Sequence, residues 1–295
     1  MGQPELRQSS VEVDGLDIAY LECGDDGPLA LCLHGFPDSA RTWRHLLPEL
    51  AAAGFHAVAP WLRGYAPTAV PADGRLQNGA LVRDANGLHH ALGGNGDAVI
   101  VGHDWGAIAA TGAAVHEPDR WSRVVTAAVP PAPAIAEGFL TYRQLRRSWY
   151  MFFFQNPLAD IVVGMNDLEF IDRLWEDWSP GYTDSADDRE AVKESLRDPA
   201  NLAAALGYYR ARLQPDLQVP ELAAEEAATA DLPRQPHLYL HGVDDGCMGV
   251  EVAELAIPHL SREEDRVELV PGTGHFLHLE APDVVNALIV GFLSS

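Results

Sequence analysis

Apolar residues along this chain fall into short runs, and the spacing within each run predicts the element it forms. From Ser10 to Glu22 apolar and polar positions alternate about Asp14-Gly15, which predicts a hairpin closed by a two-residue turn. Leu29 to Leu33 is an unbroken apolar run, the pattern of a strand buried on both faces. Val99 to Val101 is a second such run, and Phe55–Pro60, Val124–Val129, His237–His241 and Arg266–Val270 read as further strands. Helices fall between them. One runs through Ala52, with Asp38 and Ser39 offered as N-caps and Gly54 as its stop. Another lies around Ala80–Leu92, and a small-residue helix runs from Gly106 towards Pro118. A last helix begins at Pro282 with Val284, Val285, Leu288, Ile289 and Phe292 expected on its inner face. Strand–helix alternation of this kind predicts an α/β fold, a mostly parallel sheet with helices on both faces.

The register changes at Pro130, Pro131 and Pro133. From there to about Asp231 the chain reads as helices rich in aromatics, acids and alanine, and Pro233 and Pro236 close the segment. The expected organisation is a core in two parts, residues 1–130 and 233–295, with a helical insertion at 131–232.

Composition narrows the function. With 47% hydrophobic residues in 295, the chain can bury a substantial core. No apolar run approaches membrane-spanning length, and Met1-Gly2-Gln3-Pro4-Glu5 lacks the features of a signal peptide. The net charge of −23, with Lys193 as the single lysine, argues against nucleic acid or anionic membrane as partners. The basic cluster Arg143, Arg146 and Arg147 reads as a solvated helix face. Cys23, Cys32 and Cys247 are scattered and odd in number, which fits a reducing cytoplasm without a disulfide framework. None has metal-site spacing, and no histidine pattern supports a metal ligand set.

The chemistry concentrates at Val99-Ile100-Val101-Gly102-His103-Asp104-Trp105-Gly106-Ala107. A β-branched run, Gly-x-Asp-x-Gly and a small-residue helix read as strand, sharp turn and helix. This is the nucleophile-elbow pattern with Asp104 where serine would sit. A carboxylate attacks a strained or activated sp3 carbon and leaves an alkyl ester that water must hydrolyse. The pattern therefore points to epoxide or alkyl-halide chemistry rather than ordinary ester hydrolysis. Two later loops follow strands: Gly242-Val243-Asp244-Asp245-Gly246 and Pro271-Gly272-Thr273-Gly274-His275-Phe276. The order nucleophile, acid, histidine is then Asp104, Asp244 or Asp245, and His275, the chain order of a hydrolase triad on an α/β sheet.

On these residues the chain resembles the α/β-hydrolases of the epoxide hydrolase-like group, over nearly its whole length. His34-Gly35-Phe36-Pro37 is similar to that family's oxyanion-hole loop, Gly102-His103-Asp104-Trp105-Gly106 to its elbow and Gly274-His275-Phe276 to its histidine loop. The resemblance implies the backbone N–H groups of Phe36 and Trp105 as the oxyanion hole, and selects Asp245 over Asp244 as the acid. It makes the insertion a cap carrying two tyrosines that hydrogen-bond the epoxide oxygen. Trp149-Tyr150-Met151 and Leu206-Gly207-Tyr208-Tyr209-Arg210 place these at Tyr150 and Tyr209, with Tyr208 the alternative to the second. Trp61 departs from the family, where Asp commonly precedes Leu-Arg-Gly-Tyr; the change is expected to alter a structural hydrogen bond rather than the chemistry. His103, His278 and His34 are expected to pack and shape loops.

The implied enzyme is an epoxide hydrolase acting on a small-molecule epoxide and water, without metal or organic cofactor, cytoplasmic, as a monomer or homodimer. A haloalkane or haloacetate dehalogenase would use the same aspartate, and a non-catalytic binding protein could share the fold. Against the first, Phe36 offers no side-chain halide donor and the paired tyrosines have no role there. Against the second, all three triad positions are filled.

Overall fold

A computed structural model describes residues 5–295; the opening Met1–Pro4, and with them most of the stretch lacking signal-peptide features, lie outside the described residues. Among the described residues eight strands form one sheet: β1 (Arg7–Val13), β2 (Leu16–Cys23), β3 (Leu29–Leu33), β4 (His56–Pro60), β5 (Val99–His103), β6 (Arg123–Ala127), β7 (His237–Gly242) and β8 (Arg266–Val270). Their order across the sheet is β1-β2-β4-β3-β5-β6-β7-β8. The β1–β2 and β2–β4 pairs are antiparallel and the remaining pairs parallel, the expected α/β class. The unbroken apolar runs explain the middle of this order. Every residue of β3 and β5 is buried, as a strand covered by helices on both faces must be.

The hairpin signal is realised as written. Asp14 (φ 51) and Gly15 (φ 79) both adopt the left-handed region that a type I′ turn requires, and β1 pairs β2 from Val13 opposite Leu16 outwards.

The first helices are α1 (Leu46–Ala52), α2 (Asn78–Ala91) and α3 (Trp105–His116). Between β6 and β7 follow α4 (Ala132–Gly138), α5 (Tyr142–Arg147), α6 (Trp149–Phe153), α7 (Leu158–Gly164), α8 (Glu169–Trp178), α9 (Ala186–Leu196), α10 (Pro199–Leu213) and α11 (Ala223–Ala228). After β7 come α12 (Val250–Ala253), α13 (Leu277–Glu280) and α14 (Pro282–Leu293). Although β6 and β7 are more than a hundred residues apart in sequence, they pair directly in the sheet, so the helices between them leave and re-enter at one place. The last of these, α11, packs on α2 and α3 beside the sheet. No helix among the described residues is long and apolar enough to cross a membrane.

Three local expectations need correction. Neither Asp38 nor Ser39 caps a helix with its side chain: the segment opens as a 3-10 turn (Ala40–His45), and Asp38 Oδ1 instead accepts the Ser39 N–H at 2.7 Å. The short polar side chain satisfied its nearest backbone donor, as Asp readily does outside a helix. On α14, Val284 is 53% exposed whereas Val285, Ile289 and Phe292 are buried, so the inner stripe is narrower than expected. In the basic cluster, Arg147 is only partly exposed and pairs with Glu251 at 2.7 Å, so this corner is an ion-pair contact as well as a solvated face.

Candidate active site

Asp104 stands between β5 and α3 at φ 53 and ψ −118, a conformation that residues with a Cβ avoid. Two glycines make room for it. A Cβ on Gly106 would lie 2.2 Å from Leu33 O, and one on Gly102 would lie 2.1 Å from Gly106 O. Strand, turn and helix therefore approach closely only because both positions lack side chains. Since β3 pairs β5 with Leu33 opposite Gly102, the His34–Pro37 loop lands beside the turn. There Gly35 faces the Asp104 carboxylate so closely that a Cβ would sit 2.3 Å from Oδ1. Phe36 N donates to Asp104 Oδ1 at 2.7 Å, and the Trp105 N–H also favours the charged carboxylate.

His275, fully buried in the loop after β8, reaches the same point. Its Nδ1 lies 3.0 Å from Asp245 Oδ2 and its Nε2 3.8 Å from Asp104 Oδ2; Nε2 has no hydrogen-bond partner. Facing a carboxylate, Nδ1 carries the proton, which leaves Nε2 as the base in the neutral ring. Asp245 Oδ1 accepts the N–H groups of Cys247 (2.7 Å) and Met248 (2.9 Å), so the carboxylate is held from both ends. Asp244 is exposed and takes no part. Burial pushes the Asp104 pKa up, and the charge of His275 with the Phe36 and Trp105 N–H groups offsets only part of this. Burial pushes His275 down, but Asp245 and then Asp104 outweigh it and hold the imidazole above its ordinary value.

Over Asp104 lies a cavity of about 470 Å³. Asp104, Trp105, Tyr150, Tyr209 and Cys247 line it, with Ile108, Val129, Ile135, Phe139, Leu140, Met151, Leu213 and Met248 making most of the remainder apolar. Tyr150 comes from α6 and Tyr209 from α10, their rings edge to face at 5.5 Å. The Tyr209 hydroxyl lies beside the Trp105 indole, whose N–H favours its ionised form, and the Tyr150 hydroxyl meets Cys247 Sγ at 3.3 Å. Burial raises both phenols well above their ordinary pKa, so both are protonated donors at neutral pH. Tyr208, the alternative to Tyr209, donates to Arg63 O at 2.6 Å, away from the cavity.

Two features of the site escaped the sequence. The first is the end of α8. Trp178 O accepts the N–H of both His275 (3.0 Å) and Gly246 (3.1 Å), tying the histidine and acid loops together. Next to it, Ser179 Oγ donates to Glu280 (2.7 Å) and accepts Phe276 N–H (3.0 Å). A backbone carbonyl leaves no trace in residue type, so no signal could have found Trp178. The second is Cys247, whose position two residues after Asp245 was the available signal. The remaining histidines brace the site: His103 Nε2 donates to His275 O at 2.9 Å, and His278 stacks on Trp43. Leu62 N donates to His34 Nε2 at 3.0 Å, shaping that loop as expected.

Two sets of side chains among the described residues have ligand atoms within 4.8 Å of one another: Asp38, His103 and His278, and Asp245, Cys247 and His275. In the second set the carboxylate and Nδ1 are already bonded to each other. In the first, burial above all pushes His278 down to about 3 and Asp38 up to about 8, which describes neutral groups packed together.

Residues 30–288 match the model of the alpha/beta hydrolase family. Epoxide hydrolase A of Mycobacterium tuberculosis is 30% identical, with the match covering 100% of this chain and 98% of that protein. Epoxide hydrolase 4 of Mus musculus is 29% identical, covering 96% of this chain and 78% of that protein. The solved structure of a Bacillus megaterium epoxide hydrolase in complex with an inhibitor superposes with a TM-score of 0.79 at 26% identity, covering 97% of this chain and 100% of that one.

Proposed function

The chain belongs to the alpha/beta hydrolase family, in its epoxide hydrolase group, and from that premise we propose that it opens an epoxide through an ester on Asp104 and releases a vicinal diol. The observation that carries this reading is a carboxylate in the elbow faced across an apolar cavity by two protonated phenols. Asp104 Oδ2 attacks one oxirane carbon, the carbon–oxygen bond breaks, and the departing oxygen takes a proton from Tyr150 or Tyr209. His275 Nε2 then removes a proton from water, whose oxygen attacks the Asp104 carbonyl carbon. Negative charge develops on Oδ1, to which the Phe36 N–H already donates, with the Trp105 N–H beside the same carboxylate. The ester bond breaks, the leaving diol oxygen takes the proton held on His275, and the proton left on the Asp104 carboxyl returns to the phenolate. In this reading residues 131–232 serve as the cap that holds both tyrosines over the core. The proposed setting is cytoplasmic, supported by the buried, unbridged thiols of Cys32 and Cys247.

One observation favours the dehalogenase reading. Trp105 lines the cavity next to Asp104, and its buried indole N–H, set beside the Tyr209 hydroxyl, is a donor of the kind that holds a halide. A panel of styrene-type epoxides, haloalkanes, fluoroacetate and nitrophenyl esters separates the readings. Diol formation is the expected result; halide release without diol would replace the epoxide reading, and silence on all four would favour a binding protein.

The tyrosines supply a sharper test. Tyr150→Phe and Tyr209→Phe are each expected to slow alkylation about 10- to 1000-fold, the range for one lost transition-state donor. Hydrolysis of the ester should be nearly unchanged, because water attacks from the histidine side. The double variant should keep its melting temperature, since Phe preserves the ring contacts. Stopped-flow tryptophan fluorescence resolves the two steps; wild-type alkylation by the double variant would remove both residues from the mechanism.

A further inference from the structure

The two phenols facing Asp104 are not equivalent. Tyr209 Oη lies beside the Trp105 indole, whereas Tyr150 Oη rests 3.3 Å from Cys247 Sγ. Cys247 is itself only 4% exposed and lines the cavity. Its backbone is fixed on both sides: its N–H goes to Asp245 Oδ1 at 2.7 Å, and its carbonyl accepts from Gln144 Nε2 at 2.9 Å. Gln144 is fully buried on α5, and its Oε1 takes the Gly249 N–H at 3.0 Å. Its Nε2 also donates to Ser148 Oγ, at the start of the helix that carries Tyr150. One short segment thus holds the triad acid through its backbone and touches a cap tyrosine through its side chain.

We propose that Cys247 is a positioning residue for Tyr150: its S–H donates to Tyr150 Oη and so turns that hydroxyl's one proton into the cavity, towards the epoxide oxygen. This rests on the reading of Tyr150 as a proton donor. The chemistry of the pair favours this direction. A phenol has one proton and two lone pairs, so a Tyr150 that donated to sulfur would have none left for the substrate. Burial, with Asp245 and Asp104 nearby, keeps the thiol protonated and unreactive, a donor rather than a nucleophile. A hydrogen bond received by Tyr150 Oη also stabilises the phenolate that forms as the ring opens.

The test is a double-variant cycle read on the separate half-reactions, with styrene oxide as the probe. Cys247→Ala should slow alkylation about tenfold, the scale of one lost hydrogen bond. Ester hydrolysis should stay within about twofold, since Asp245 is held by backbone N–H groups that the substitution leaves in place. Cys247→Ser, which keeps an X–H donor, should recover most of the loss. In a Tyr150→Phe background Cys247→Ala should have no further effect. Wild-type alkylation by Cys247→Ala would overturn the proposal. So would an equal loss in the Tyr150→Phe background, which would mark Cys247 as packing only while leaving Tyr150 its role. If Tyr150→Phe itself alkylates at the wild-type rate, the tyrosine reading falls and the proposal with it.

Discussion

Asp104→Asn is expected to lower epoxide turnover by at least about 10⁴-fold, the scale on which removing a nucleophile acts, while the protein stays folded. The amide is too weak a nucleophile to open an oxirane, so no ester forms and neither half-reaction runs. The fold should not suffer. Burial raises the Asp104 pKa, which means that the ionised form is disfavoured by its surroundings. A neutral isostere removes that penalty, and its amide oxygen can still accept the Phe36 N–H now made at 2.7 Å. The melting temperature should therefore hold or rise by a few degrees, a shift of about 1 kcal/mol at most. Diol assays on freshly purified variant, with intact mass to exclude deamidation back to Asp, decide the matter. Full activity from a mass-verified Asp104→Asn protein would end the nucleophile assignment.

His275→Gln should separate the two steps. Alkylation needs only Asp104 and the phenols, so the variant should consume one equivalent of epoxide and gain the mass of one substrate molecule. Hydrolysis needs a base at the position of Nε2, and Gln is not one. The adduct should persist for hours, with steady-state turnover down by about 10³-fold or more. Intact-protein mass spectrometry after excess styrene oxide reads this directly, and an unmodified mass would contradict the role. The wild-type pH profile follows from the same geometry. Hydrolysis requires neutral His275, so its rate should fall as pH drops through the imidazole pKa. In the free protein both Asp245 and Asp104 hold that pKa up against burial. In the ester Asp104 is uncharged, one of those supports is gone, and the pKa falls. The acid limb of hydrolysis should therefore lie below the His275 titration seen by NMR in the free protein.

Much of this molecule is local. The I′ hairpin is written in Asp14-Gly15 because only residues tolerant of positive φ close it. The buried strands are written in Leu29–Leu33 and Val99–Val101 because a strand covered on both faces leaves no polar position. The elbow is written in Gly102 and Gly106 because no Cβ fits where strand and helix meet. These patterns depend on a residue and its near neighbours in the chain, so they survive being read without coordinates.

What the tertiary structure decided concerns side chains that meet across large sequence separations. Asp244 and Asp245 are equivalent as letters; the pairing of β7 with β8 brings the second against His275 and leaves the first in solvent. Tyr208 and Tyr209 are adjacent on one helix, and the step of about 100° between them sends one to Arg63 and the other over Asp104. The expected cap at Asp38 failed because its Oδ1 took the nearest donor, the Ser39 N–H, and Val284 lies outside because the neighbours of α14 cover a narrower stripe than its apolar face offers. Trp178 O and Cys247 Sγ enter the site through a backbone carbonyl and a thiol that composition treats as incidental. Sequence patterning specified which backbone shapes form and where the reactive groups stand along the chain; only the sheet order and the helices laid across it determined which of those groups face one another, because facing is a property of neighbours that the chain order does not contain.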